Sequence, residues 1–513
     1  MNARDSLEQS SLSRTRPRVL EWVMLFLLFG LGAGLRLIDL TDQPLDFHPT
    51  RQLRSAIIAR GMYYQWLPDV DPAVREPAIM AWNSMERYEP PIFEALVALT
   101  YWLTGGERLW VARLYAILFW MVGGAALYRL ARNLLTPWAA LFALAFYMVL
   151  PWGVSASRSF QPDPMMVMWT LLAALALERW AAGQGRSWGW ALLAGLLCGV
   201  AVLVKATALY PVGGMLAGVL LLRLAQDGLN VLRRAQIYPL LALAGLIPAG
   251  YYLGLGARSS EFASFWILSF SGLLADSKFY VRWLGLIRGL MDAGVFFGAL
   301  LATFLYNARG RAVVFGLWAG YVLTGLTFPF QIYTHDYYSL LLVPLAALGL
   351  APLAELAFQR LSVQPRIWQV GVGLAALGIL GYYAYVGRSV LLAVNYRNEP
   401  IPWVRMGAEL PCDGSIIALT QDYGNRLKYY SLRIPQRLWP SGADLQLAQA
   451  AGAERIADFQ AFFREQTEGM DYFLVNLFGD LEAQPLLKAE LSEHYPVAAE
   501  GDGYILYDLR QRK

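Results

Sequence analysis

The apolar residues of this chain come in long runs separated by short polar stretches, not in alternating faces, and this limits most severely what it can fold into. VLEWVMLFLLFGLGAGLRLIDL, at 19–40, is one such run. About twenty apolar residues, rising 1.5 Å each, cross the roughly 30 Å of a bilayer's hydrocarbon. Inside hydrocarbon every backbone N–H and C=O must be paired within the spanning structure, so the runs have to be helices. Counted this way there are roughly eleven spans, near 19–40, 109–130, 137–155, 164–180, 188–204, 207–223, 237–256, 291–306, 312–329, 338–357 and 367–386.

Composition agrees: 57% of residues are hydrophobic and 16% charged, with a mean hydropathy of +0.40. A net charge of +4 without a long basic run argues against a nucleic-acid partner. Cys198 and Cys412 are too far apart in sequence and setting to suggest a disulfide framework or a thiolate metal site. The first run is too long for a signal peptide and lacks a small-x-small cleavage site, so it reads as a retained span.

Arginine placement sets the expected orientation. Arg14, Arg16 and Arg18 precede the first span, and alternate short loops carry Arg129 and Arg132, Arg179 and Arg186, Arg223, Arg233 and Arg234, Arg309 and Arg311, and Arg360 and Arg366. Positive loops face the cytoplasm. That leaves residues 1–18 as a cytoplasmic tail in a cell inner or plasma membrane. The opposite, extracytoplasmic face receives residues 41–108, SASRSFQPDP, a loop near 257–290, FPFQIYTHDYY and the chain after Gly387.

Within 41–108, RQLRSAIIARGMYYQW and EPPIFEALVALTYWL have helical apolar spacing with Trp and Tyr at their ends, as interfacial helices do. From about Asn395 charged residues return and the apolar runs shrink to strand length in SIIALT, DYFLVN and GYILYDL, with helical ADFQAFFREQ and PLLKAELSEHY between. The alternation predicts a soluble α/β domain over 391–513, after a transmembrane unit over 19–390.

Charges beside spans are costly unless they have work to do. PLDFHPTRQLR offers Asp46, His48, Arg51, Gln52 and Arg54 just outside the first span, and SRSFQPDPMM offers Arg158 and Asp163. A carboxylate there can act as general base while guanidiniums hold a phosphate. The plainer reading makes Asp46 and Asp163 helix caps and the arginines interfacial anchors. Lys205, ending GLLCGVAVLVK, is suited to an anionic lipid phosphate or to ordinary snorkelling. His335 and Asp336 in YTHDYY can orient a proton carrier or bind a metal, or serve an aromatic belt. In the tail, DYGNRLKYYSLRIPQRLWP presents Arg426, Lys428, Arg433 and Arg437 among aromatics, suited to gripping an acceptor.

The order of LDFHPTRQ, EPPIFEALVALTYWLTGGERLWVARL, RSFQPDPMM and LLAGLLCGVAVLVKATALYP resembles the GT-C glycosyltransferases, in particular the protein O-mannosyltransferases and bacterial lipid A aminoarabinose transferases. The likeness is recognisable over residues 19–225. It implies transfer of a sugar from a polyprenyl-phosphate donor to a lipid, glycan or protein acceptor, by inverting displacement on the extracytoplasmic side. Asp163 matches the family's second acidic position. The first departs from the pattern: no Asp-Glu pair is present, and Pro49-Thr50-Arg51 stands where it is expected. The resemblance thus leaves the base among Asp46, His48 and Asp163, with Arg51, Arg158 and Lys205 for the donor phosphate and Gln52, Arg54, His335 and Asp336 as further outer-face candidates. No cofactor is required, since the donor is already activated; a divalent metal stays open. Two other classes fit the span pattern, a transporter or flippase of a lipid-linked substrate and a non-catalytic membrane scaffold. Gathering of the polar residues at one face, away from the midplane, speaks against the first.

Overall fold

The computed structural model describes residues 19–86, 88–255, 259–411, 413–453 and 456–513. Arg14, Arg16 and Arg18, on which the orientation argument draws, lie outside them, as does Cys412.

Helices make up the first four-fifths of the chain. They are α1 (Val19–Leu37), α2 (Pro49–Gln65), α3 (Pro72–Asn83), α4 (Ile92–Thr104), α5 (Trp110–Leu134), α6 (Pro137–Val149), α7 (Pro151–Ala156), α8 (Pro162–Ala182) and α9 (Trp188–Val204). After them come α10 (Leu209–Asp227), α11 (Ile237–Ala249), α12 (Ser259–Leu268), α13 (Ser277–Met291), α14 (Ala293–Ala302), α15 (Ala308–Thr327), α16 (Pro329–Thr334), α17 (Leu342–Ser362) and α18 (Arg366–Leu391). Proline opens many of them, at Pro49, Pro72, Pro137, Pro151, Pro162 and Pro329. Its missing N–H is harmless in the first turn and its fixed φ already suits a helix.

By length and apolarity, seven described stretches can cross a membrane: Val19–Leu37, Trp110–Leu134, Pro162–Ala182, Ala206–Arg233, Ile237–Gly254, Asp336–Ser362 and Arg366–Leu391. Ser277–Met291 and Ala293–Leu305, bent by 93°, make an eighth if they form one span. The remaining expected spans are helices that are shorter, as α6 and α9 are, or more polar, as is α15 with Arg309 and Arg311 in its first turn. The run 137–155 is split because Pro151 cannot donate to the preceding turn, so α6 stops and α7 starts at a new angle.

The bundle packs through small residues. A Cβ on Gly214 of α10 would sit 2.1 Å from the Gly316 carbonyl oxygen of α15, and one on Gly316 would sit 2.4 Å from that of Gly214. Backbones this close gain dispersion that lipid tails cannot offer either helix singly.

After α18 the chain forms α19 (Pro400–Glu409) and an α/β unit. Its strands are β1 (Ile416–Leu419), β2 (Arg437–Leu438), β3 (Tyr472–Val475), β4 (Val497–Gly501) and β5 (Tyr504–Asp508), in the order β2-β1-β3-β5-β4. β1 pairs parallel with β2 and β3, while β5 runs antiparallel between β3 and β4. Side chains alternate across a strand, and here each face has its own core. Ile417, Leu419, Phe473 and Val475 pack with Phe463 and Leu487. Ile416, Ala418, Leu474 and Leu506 join the core that runs through the helical bundle. One face of the sheet is therefore built onto the membrane unit.

Candidate active site

The site starts at the entrance to α2. Pro49 at its first position keeps the preceding residue out of the right-handed helical region, and His48 takes φ 47° and ψ 70°. The turn throws the imidazole toward the segment between α16 and α17. There its Nε2 lies 2.6 Å from Oδ1 of Asp336, whose Oδ2 accepts a 2.8 Å hydrogen bond from the Trp152 indole. His48 and Asp336 side chains are 28% and 24% exposed, so the pair is open to solvent. The His335 ring is roughly parallel to that of His48 at 6.4 Å. Burial first, then the neighbouring His48 and Arg51, push His335 down to about 4, so it is neutral at ordinary pH.

Tyr337 joins this dyad to a second group. Its ring meets the His48 ring edge-on at 4.8 Å, and it also carries Arg51 at 5.7 Å and Lys205 at 5.0 Å from its centroid. Lys205 lies 4.8 Å from the Tyr338 ring as well, and its Nζ donates to Asp163 Oδ1 at 2.6 Å. Both members of that ion pair are nearly dry, at 4% and 2% exposure, and Asp163 Oδ2 has no partner. The helix break after α9 makes this possible: Lys205 has extended backbone angles between α9 and a 3-10 turn at Ala206–Ala208, so its side chain reaches the first turn of α8.

Arg51 is also paired with Glu89, at 3.2 Å. Burial would lower the guanidinium, but Glu89 and then Tyr337 outweigh it and raise Arg51 above its ordinary value. The same burial would raise Glu89, yet Arg51 and then Arg54 hold it below the usual carboxylate range. Glu89 is therefore a charged counter-ion and a weak base.

The structure brings Asp46 and Arg158 to each other instead of to Lys205. Asp46 lies 3.0 Å from Arg113 and 3.6 Å from Arg158, and accepts from Gln52 at 3.1 Å. Arg158 is 1% exposed and gives its two terminal nitrogens to the carbonyls of Arg36, Ile38 and Asp39, leaving its buried Nε without a partner. Arg113 binds the carbonyls of Asp39, Leu40, Asp42 and Gln43. Gln52 ties this cluster to the Phe160 amide. Together they latch the chain leaving α1 to the start of α8. Arg54 turns away, to the Glu86 carbonyl and the Tyr88 ring.

The C-terminal unit touches the site from outside. Thr50, in the first turn of α2, donates to Asp422 at 2.9 Å, and its carbonyl accepts from Asn425. Asp422 and Tyr423 have φ of 52° and 54°. Three of the tail cations expected to face an acceptor are engaged within the fold: Arg426 with Asp422 and Glu399, Arg433 with the carbonyls of Gly407 and Leu410, Arg437 with those of Glu465 and Gln466.

Tyr337, Tyr338, Glu89, Trp152 and Arg113 were not singled out by sequence. The tyrosines read as belt residues and Glu89 as part of a helical segment; only the YTHDYY string pointed at this spot. Among the described residues no group of three or more His, Cys, Asp or Glu could hold a metal ion.

Residues 88–252 match the family model for dolichyl-phosphate-mannose-protein mannosyltransferase. Among solved structures, ArnT from Cupriavidus metallidurans in the apo state is similar over 95% of this chain and 97% of that one, with 17% identity and a TM-score of 0.60. The same protein bound to undecaprenyl phosphate matches with 18% identity and a TM-score of 0.57, over 96% and 98%. An oligosaccharyltransferase from Archaeoglobus fulgidus, tethered with an acceptor peptide, matches with 12% identity and a TM-score of 0.55, over 96% of this chain and 74% of that one. Comparison with curated proteins finds no match. At such identities the structural likeness speaks for the fold, while the family match speaks for the segment that carries Glu89, Asp163 and Lys205. This chain is a membrane protein with the fold of the GT-C glycosyltransferases.

Proposed function

We propose that this chain transfers a sugar from a polyprenyl-phosphate donor to an acceptor hydroxyl, with His48 as the base and Arg51 and Lys205 as the phosphate-holding cations, on the extracytoplasmic side. The observation that carries this reading is the position of Tyr337, whose one ring contacts the imidazole of an exposed His-Asp dyad and both cations. Base and leaving-group cations are thus neighbours, as a single displacement needs. The acceptor oxygen attacks the anomeric carbon, its proton passes to His48 Nδ1, and the bond from that carbon to the phosphate oxygen breaks. Asp336 holds Nε2 and steadies the imidazolium. Negative charge gathering on the departing lipid phosphate falls to Arg51 and Lys205.

Asp46 is held by two guanidiniums and Asp163 is buried against Lys205, so the exposed His48–Asp336 dyad is the group best placed to meet an acceptor hydroxyl. Asp163 positions Lys205, and Asp46 and Arg158 keep α1 and α8 in register. The ArnT structure with undecaprenyl phosphate supports a lipid carrier of that class. Reconstituting the purified chain with a panel of polyprenyl-phosphate sugars and identifying products by mass spectrometry tests the proposal. Transfer from at least one donor, lost in Lys205→Met, is expected; no transfer from any lipid-linked sugar, with the protein folded, would sink it.

A further inference from the structure

The ends of α8, α10 and α15 remote from the candidate site flank an open cavity of ≈ 540 Å³ that the reaction does not use. Asp163 and Ala182 stand at opposite ends of α8, roughly 30 Å apart at 1.5 Å per residue, so the cavity lies about one membrane thickness from Lys205. Gln184, Arg223, Gln226, Asp227, Asn307 and Arg309 supply its polar lining.

Its lining is net basic. Arg223 and Arg309 line it together with Asp227, Arg234 stands beside Gln184, and the carboxylates near it are already matched. Asp227 lies 2.8 Å from Arg234 and 3.9 Å from Arg223, and Glu178 lies 3.3 Å from Arg309. Arg223 still has spare capacity, because its buried Nε has no hydrogen-bond partner. Arg309 is 37% exposed at the cavity wall.

Apolar surface adjoins this basic lining: Leu221 and Leu224 on α10 and, just past it, Leu229 and Leu232 are exposed. A free anion would gain nothing from those leucines. An anionic headgroup with acyl chains attached gains from both, since basic pockets between helix ends at a membrane surface bind lipid phosphates.

We infer that the cavity between α8, α10 and α15 is a second lipid site, holding the phosphate headgroup of an anionic membrane lipid in the leaflet opposite the candidate active site. Arg223 and Arg309 bind its phosphate oxygens, and the exposed leucines of α10 and the turn after it lie along the first methylenes of its chains. This does not depend on the transfer chemistry, and its test reads no activity.

The full chain, purified in a neutral detergent, is heated alone, with phosphatidylglycerol, with phosphatidylcholine and with inorganic phosphate, and the unfolding midpoint is followed by tryptophan fluorescence. Phosphatidylglycerol should raise the midpoint; phosphatidylcholine and phosphate should not. Most of the rise should vanish in Arg223→Gln/Arg309→Gln and persist in Arg360→Gln, an exposed arginine at the end of α17 outside the cavity. If the double variant does not fold, Ala308→Trp fills the exposed cavity wall without changing its charge and should abolish the rise equally. An equal rise in wild type and cavity variants, an equal loss in Arg360→Gln, or full protection by inorganic phosphate alone would each overturn the lipid assignment.

Discussion

Removing either member of the Asp163–Lys205 pair should be far more damaging than removing both. The two charges are 2.6 Å apart with side-chain exposures of 2% and 4%. Coulomb's law at an effective dielectric of about 20 gives about 6 kcal/mol for that separation, most of which offsets the cost of taking both groups out of water. Lys205→Met leaves a buried carboxylate without its counter-ion, and Asp163→Asn leaves a buried ammonium. Stranding one charge of a buried pair costs about 3–5 kcal/mol. The double variant strands neither and should lose only about 1–2 kcal/mol, because neutral groups of similar volume replace a pair whose net worth is small. The coupling energy is then well above the ~0.5 kcal/mol within which independent sites add. Equilibrium unfolding of the full chain by sodium dodecyl sulfate in mixed micelles gives the four stabilities needed. Losses that simply add would refute the reasoning, since the pair would then be hydrated and loosely held. Donor use separates stability from function: the double variant should regain its fold and still fail to bind donor phosphate, Lys205 being gone.

His48→Asn should lower turnover about 100-fold or more, in line with loss of a general base, and Asp336→Asn should lower it by a smaller factor, the imidazole losing the carboxylate that holds it; Asp46→Asn should instead lower stability and leave the folded fraction near wild-type turnover, so full activity in His48→Asn would exclude it as base. Because His335 is pushed down to about 4 from 6.5, the unfolded chain binds a proton between those values that the folded protein refuses. Stability therefore rises with pH across that window and is lost as pH falls through it; His335→Gln should remove this part of the acid slope in an unfolding titration. Gly316→Val should push α10 and α15 apart and cost about 1–3 kcal/mol or more, as overpacking does; an unchanged unfolding midpoint would contradict the close approach.

The membrane class was legible because hydrocarbon length is a hard constraint, and strands β1, β3 and β5 because burial on both faces makes them continuous apolar runs. The span count was less legible. Pro151 breaks a run that composition reads as continuous, and a 93° bend at Asp292 separates two helices that hydropathy does not distinguish from their neighbours. β2 and β4 escaped because one is two residues long and the other lies at the sheet edge with a mixed, exposed pattern. At the site, sequence named individual polar residues but could not say how the fold pairs them. Arg158 looked like an anion binder and is spent on carbonyls, while the partner of His48 lies 288 residues away. Tyr337, which joins the two groups, carries no charge and so gave composition nothing to weigh.

The contacts of α2 with the C-terminal unit bear on how the protein is made. Thr50 binds Asp422 across 372 residues, and Asp42 accepts the Tyr396 amide across 354. The turn that aims His48 and Arg51 is therefore made well before the groups that fasten it, which lie more than 350 residues further along the chain. Until that later stretch has folded, α2 can be helical but lacks the grip that fixes its leading turn. A chain without the stretch that carries Asp422 and Asn425 would thus present His48 and Arg51 on an unfastened turn, with the candidate site unassembled.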